Sequence, residues 1–164
     1  MKKTFLIVVC LLLSTTLMSQ INNPRLNNLI SLMENTESCT VIKISKPMFK
    51  FIEKLDVGYP IQKLADKIES FTVITANLED NKDPHISSYI KDINLVISRL
   101  LNYEELITIK DKDTTVKMIA EKSKDDSVKN FIMTVKSDKE FMLMVLNGNF
   151  IDEDFNDWLN NPFK

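Results

Sequence analysis

Residues 141–146 read Phe141-Met142-Leu143-Met144-Val145-Leu146, six apolar side chains in succession. A strand with one wet face alternates apolar and polar residues, so an unbroken run of this length predicts a central strand or one covered on both sides. Charged residues precede the run, and Asn147-Gly148-Asn149 follows it as the expected end of the strand. Three further β-rich stretches lie upstream at short spacing: Glu104 to Lys110, Thr114 to Glu121 and Val128 to Lys136. Short charged turns separate them, which predicts an antiparallel meander of four strands.

Before Asn102 the apolar period changes. Ile86, Tyr89, Ile90, Ile93, Ile97, Leu100 and Leu101 form one stripe, so Pro84 to Leu101 is predicted as a helix with Asp83 as its cap and Pro84 in its first turn. Phe71 to Ala76 reads as a strand. A helical turn set opens at Pro60 and carries Ile61, Leu64, Ala65 and Ile68; another opens at Pro47, carries Met48, Phe49, Ile52 and Leu55, and stops before Gly58. Thr40 to Ser45 alternates as a strand, and Leu26, Leu29, Ile30 and Met33 place a helix over Pro24 to Glu34. Asp152 is expected to begin a last short helix holding Phe155, Trp158 and Leu159. Together these elements predict an α+β domain: a mainly antiparallel sheet of about six strands, with helices covering one face.

Residues 1–19 read as a signal peptide. Lys2 and Lys3 precede an apolar core from Phe5 to Leu13 and a small or polar exit from Ser14 to Ser19. The core is shorter than the roughly 20 residues a spanning helix needs, so no stable transmembrane segment is expected after cleavage. Lipidation at Cys10 is disfavoured by the branched Val9 before it. Residues 20–164 are expected to form a single domain, exported to the periplasm or beyond. Losing the leader removes two lysines and no acid, which leaves 19 basic against 23 acidic residues, a net charge of -4.

Composition excludes several classes. The 164 residues include two Gly, two Cys and one His. Gly58 and Gly148 stand far apart, so neither a dinucleotide fingerprint nor a P-loop can be written. Cys10, Cys39 and His85 are too few for a structural zinc site. No basic stripe with interleaved aromatics supplies the footprint of a nucleic-acid binder. No cofactor is implied.

The leader, the Ile44-Ser45-Lys46-Pro47-Met48-Phe49 step, the Phe71-Thr72-Val73-Ile74-Thr75 strand, the Tyr103-Glu104-Glu105-Leu106 opening and the Leu146-Asn147-Gly148-Asn149-Phe150-Ile151 close together resemble one family. That family is the domain-of-unknown-function family 4252 of small exported Bacteroidetes proteins. The resemblance covers roughly residues 25 to 160 and implies an envelope location and an α+β fold, with no established activity. Asn147-Gly148-Asn149 stands where the family often has a Thr-Gly-Asp/Asn step, and the meander turns lack its usual glycines.

Candidate chemistry is sparse. Cys39 with His85 is the one conceivable thiol pair, yet Cys39 opens a strand and His85 a helix, and no third orienting group is evident. Asp111-Lys112-Asp113 and Asp152-Glu153-Asp154 lack the Gly and the distal acid of a calcium loop and read as a hairpin turn and a helix start. No spacing singles out a carboxylate pair for glycoside hydrolysis. Thr114 and Ser127 follow aspartates in short Asp-Ser/Thr sequons and are candidates for O-glycosylation. Met118, Met133, Met142 and Met144 are soft and adaptable, and could line an apolar groove for a lipid-like ligand or a partner segment. The expected function is a non-enzymatic binding or accessory domain of the cell envelope, with an unknown envelope protein as partner. The alternatives are a carrier of a small apolar ligand held between sheet and helices, and an unrecognised hydrolase.

Overall fold

A computed structural model describes residues 23–53, 65–79, 83–123 and 127–151. The predicted leader with Cys10, the opening of the Pro60 turn set and the helix expected from Asp152 lie outside these residues. Within them the order is α1 (Pro24–Glu34), β1 (Cys39–Ser45), α2 (Lys46–Glu53), β2 (Ile68–Asn77), α3 (Ile86–Ile97), β3 (Tyr103–Asp111), β4 (Thr114–Lys122), β5 (Val128–Lys136) and β6 (Glu140–Phe150). The six strands form one sheet in the order β1-β2-β6-β5-β4-β3, every pair antiparallel. The predicted meander is β3 to β6, and its last strand lies centrally between β5 and β2, as the all-apolar run requires.

Helix α1 begins where Asn23 accepts a hydrogen bond from the Leu26 amide at 3.0 Å, with Pro24 at a position that needs no donor. Its buried stripe Leu26, Leu29, Ile30 and Met33 packs with Ile86, Ile90, Ile93 and Val96 of α3 over one face of the sheet. From that face Ile74, Phe141, Leu143, Val145, Ile132 and Ile119 rise to meet them. The chain thus supplies opposite faces of β6 alternately, with odd-numbered residues 141–145 under the two helices and even-numbered residues on the far side. Helix α2 lies on that far side, where Phe49 packs with Phe131, Phe150 and Ile68, and with Ile44, Phe71 and Leu146. Phe131 and Phe150 meet edge to face, their ring centroids 5.4 Å apart.

Two predicted boundaries need correction. Asn147-Gly148-Asn149 does not end β6: Ile68 pairs with Gly148, Lys129 with Asn149 and Val128 with Phe150, so the ladder continues through the supposed terminator. Helix α3 is shorter than Pro84 to Leu101. Asp83 turns the chain by accepting the His85 amide at 2.8 Å, ahead of the helix. Beyond Ile97 the chain tightens into turns, and Asn102 enters the left-handed region (φ 66°), which leaves Leu101 85% exposed and off the buried stripe. Lys112 (φ 47°) closes the β3–β4 hairpin and Asn130 (φ 47°) occupies the bulge in β5, positions where glycine would be unstrained.

Candidate functional site

The side of the sheet away from α1 and α3 carries the four methionines singled out above. Register places Met118 opposite Met133 and Met133 opposite Met144. Val73 then faces Met144 and Ile42 faces Val73, while Ile107 faces Met118 at the other end. One apolar side chain per strand therefore forms a single row across all six strands, about 24 Å long at ordinary strand spacing. Met142 belongs to the next row, with Val135, Val116 and Ile109.

The row is only partly covered. The methionines are half-buried, whereas Ile42, Ile107 and Ile109 are 52%, 46% and 54% exposed. Helix α3, the element that could have sealed the methionines, packs on the opposite face. Helix α2 covers the adjoining row through Phe49 and itself leaves Met48 and Phe51 exposed. Contiguous apolar surface of this kind, with three unbranched and deformable methionines at its centre, suits a partner whose shape is not fixed in advance. Composition identified the methionines; Ile42, Val73, Ile107 and Ile109 join them only through strand register, which no local pattern reveals.

Cys39 is half-exposed and packs at the margin of the core. Burial, followed by the negative charge of Asp83, pushes its thiol above the usual range, the opposite of an activated thiolate. His85 stacks on Tyr89 at 6.1 Å. Asp111-Lys112-Asp113 forms the β3–β4 turn, while Asp152-Glu153-Asp154 lies outside the described residues. Among the described residues no group of three or more His, Cys, Asp or Glu could hold a metal ion, and no helix is long and apolar enough to cross a membrane. Of the two sequon hydroxyls, Thr114 is half-buried at the hairpin and Ser127 is 2% exposed.

A polar network escaped the sequence reading. Asn130, held in its bulge, donates to Glu121, and the Tyr103 hydroxyl lies 3.5 Å from the same carboxylate. Burial, then the Glu121 charge and its hydrogen bond, raise the Tyr103 phenol well above its ordinary value. A folded-state value above the unfolded one means that this contribution to stability is complete below about pH 10 and is lost as pH rises toward the folded-state value. Urea unfolding of wild type and Tyr103→Phe should accordingly show a stability gap that shrinks, or reverses, above about pH 10. Parallel pH curves for the two proteins would remove the coupling.

At one end of the helix-side face, Ile30, Ser45, Ser70, Thr72, Val145 and Asn147 help to line a cleft of mixed polarity, about 450 Å³, beside α1. Asn147 donates to the Ser70 hydroxyl at 2.7 Å, an arrangement that ties β6 to β2 beyond their ladder.

Comparison with known proteins adds a family and little else. A family model described as "Domain of unknown function (DUF4252)" matches residues 27–157. No curated protein matches the chain. Among solved structures, a protein of unknown function from Pseudomonas aeruginosa, PA94, is similar over 75% of each chain at 8% identity, with a TM-score of 0.32. A likeness that distant informs neither fold nor function.

Proposed function

The chain belongs to the DUF4252 family, a domain of unknown function, and we propose that it serves as an exported, non-enzymatic binding domain of the cell envelope. Its working surface is the open methionine row, and its partner is an uncharged apolar segment of another envelope protein. The observation that carries this reading is the placement of Met118, Met133 and Met144 in one cross-strand row with exposed Ile42 and Ile107. A row about 24 Å long, half-buried at its centre and exposed at both ends, matches a peptide segment better than a small enclosed ligand.

The carrier reading places its ligand between sheet and helices. The methionines lie on the face away from α1 and α3, which favours the partner segment over the carrier. Export is supported by the leader pattern at residues 1–19.

A photo-crosslinking side chain at Met133, introduced in the native host, should capture one envelope protein reproducibly, and Met144→Lys should abolish the adduct while the purified variant unfolds cooperatively. Copurified lipid in the mass spectrum that Met144→Lys leaves in place would replace this reading with the carrier. A crosslink pattern unchanged by the variant would sink the partner-segment reading.

A further inference from the structure

Strand β3 forms one edge of the sheet, and all of its residues beyond Tyr103 are exposed. An edge this long, bearing Ile107 at 46% and Ile109 at 54% exposure, offers an unpaired row of backbone donors and acceptors flanked by apolar side chains. Proteins usually blunt such an edge or pair it. The residues of β3 say what would pair with it.

Pairing with β4 fixes the face on which each β3 side chain lies. Ile107 and Ile109 share the methionine side with Met118 and Val116, while Glu105, Thr108 and Lys110 share the helix side with Ile119, Lys117 and Thr115. The bulge between Glu105 and Ile107 sets Leu106 aside. Suppose a second β3 runs antiparallel to the first about a two-fold axis. Centring on Ile109 sets Ile107 against Asp111, and centring on Ile107 sets Ile109 against Glu104. Centring on Thr108 sets Ile107 against Ile109 twice, and Glu105 against Lys110 twice. Only this last register matches apolar with apolar and acid with base, and it does so with the correct faces.

We propose that β3 is the seam of a homodimer in which two copies pair antiparallel about Thr108. The contact is isologous, so each favourable pair occurs twice and the assembly closes at two subunits. Two six-stranded sheets become one, and the apolar row runs through Met118, Ile107 and Ile109 of the second copy onto the partner's Val116. Glu105, already 2.9 Å from Lys117 within its own chain, gains Lys110 of the second copy as another cation. The same register sets Glu104 against Asp111 of the second copy, and Lys122, 3.7 Å from Glu104, offsets that repulsion. The seam uses the backbone edge of β3 and shares Ile107 alone with the six-strand methionine row, so capture of another protein from Met133 and pairing of two copies through Thr108 are separate outcomes.

The test is register-specific crosslinking in the full chain with Cys10 and Cys39 replaced by Ser. Thr108→Cys lies opposite itself across the axis, at a spacing a disulfide can bridge. Mild oxidation should convert it to a covalent dimer at least about tenfold faster than Lys110→Cys. Sedimentation equilibrium of the unmodified chain should fit a monomer–dimer equilibrium, and the exposed-site pair Ile107→Lys with Ile109→Lys should leave only monomer with an unchanged circular dichroism spectrum. Monomer at every concentration overturns the proposal. So do equal crosslinking rates at positions 108 and 110, or a dimer that survives the double lysine variant.

Discussion

Replacing Gly148 with alanine is expected to cost about 3 kcal/mol of unfolding free energy, a large share of the stability of a domain this size. A Cβ at this position would lie 2.5 Å from Cζ and 2.7 Å from Cε2 of Phe150, and 2.6 Å from the Lys67 carbonyl oxygen. The Phe150 ring folds back over the Gly148 backbone and is itself fully buried. It cannot swing away without abandoning Phe131. The Lys67 oxygen belongs to the backbone that leads into β2, so relieving that clash means moving the strand. Gly148→Ala with Phe150→Leu should therefore recover only part of the loss. Asn149→Ala, exposed and one residue along, should change stability by less than about 0.5 kcal/mol. Chemical denaturation of these variants measures all three values. A Gly148→Ala protein as stable as wild type would show that the close approach is not rigid.

The second large effect should fall on Phe141. It is fully buried on the helix side, next to Leu143, with Ala76 across the strand pair. Phe141→Ala empties an aromatic volume within the cluster that α1, α3 and the sheet share, and about 3–5 kcal/mol should be lost. Met144, three residues on, faces the other way and is half-buried, so Met144→Ala should cost no more than about 1–2 kcal/mol. The contrast matters more than either value. Were the methionine side sealed like the helix side, both truncations would lie in the same range, and the open-face reading would fail.

What the sequence disclosed follows from how local each signal is. The stripe Leu26, Leu29, Ile30 and Met33 and its capping Asn23–Pro24 step are contained in one segment, and the structure places α1 over the expected residues. The six-residue apolar run fixed β6 as an interior strand because both of its faces must find cover. Gly148 was misread for the converse reason. Its local meaning is a turn, and only the approach of the sequence-distant Lys67 carbonyl, with the Phe150 ring folded back onto the same position, shows that it serves to thin the strand. Leu101 matched the α3 period but follows the turns after Ile97, where side-chain period no longer governs burial. The candidate site was half visible. Four methionines could be named from composition, but their alignment with Ile42 and Ile107 depends on five strand pairings, each of which a one-residue slip would invert. The Tyr103–Glu121–Asn130 network was hidden altogether, since it needs a bulge to turn Asn130 inward.

The strand order has a kinetic consequence. Strand β6 is the last of the six described strands to leave a ribosome, yet it joins β2 to β5, and its pairings with β2 span from 63 residues (Asn77 to Glu140) to 80 (Ile68 to Gly148). Contacts so distant in sequence make for slow folding, because chain entropy is spent before the ladder repays it. Until residue 140 and its successors emerge, β1–β2 and β3–β5 can exist only as two separate ribbons, each with an unsatisfied inner edge. A nascent or truncated chain that stops short of β6 therefore carries two mutually unjoined half-sheets, the form in which it is most exposed to chaperones, proteases and aggregation.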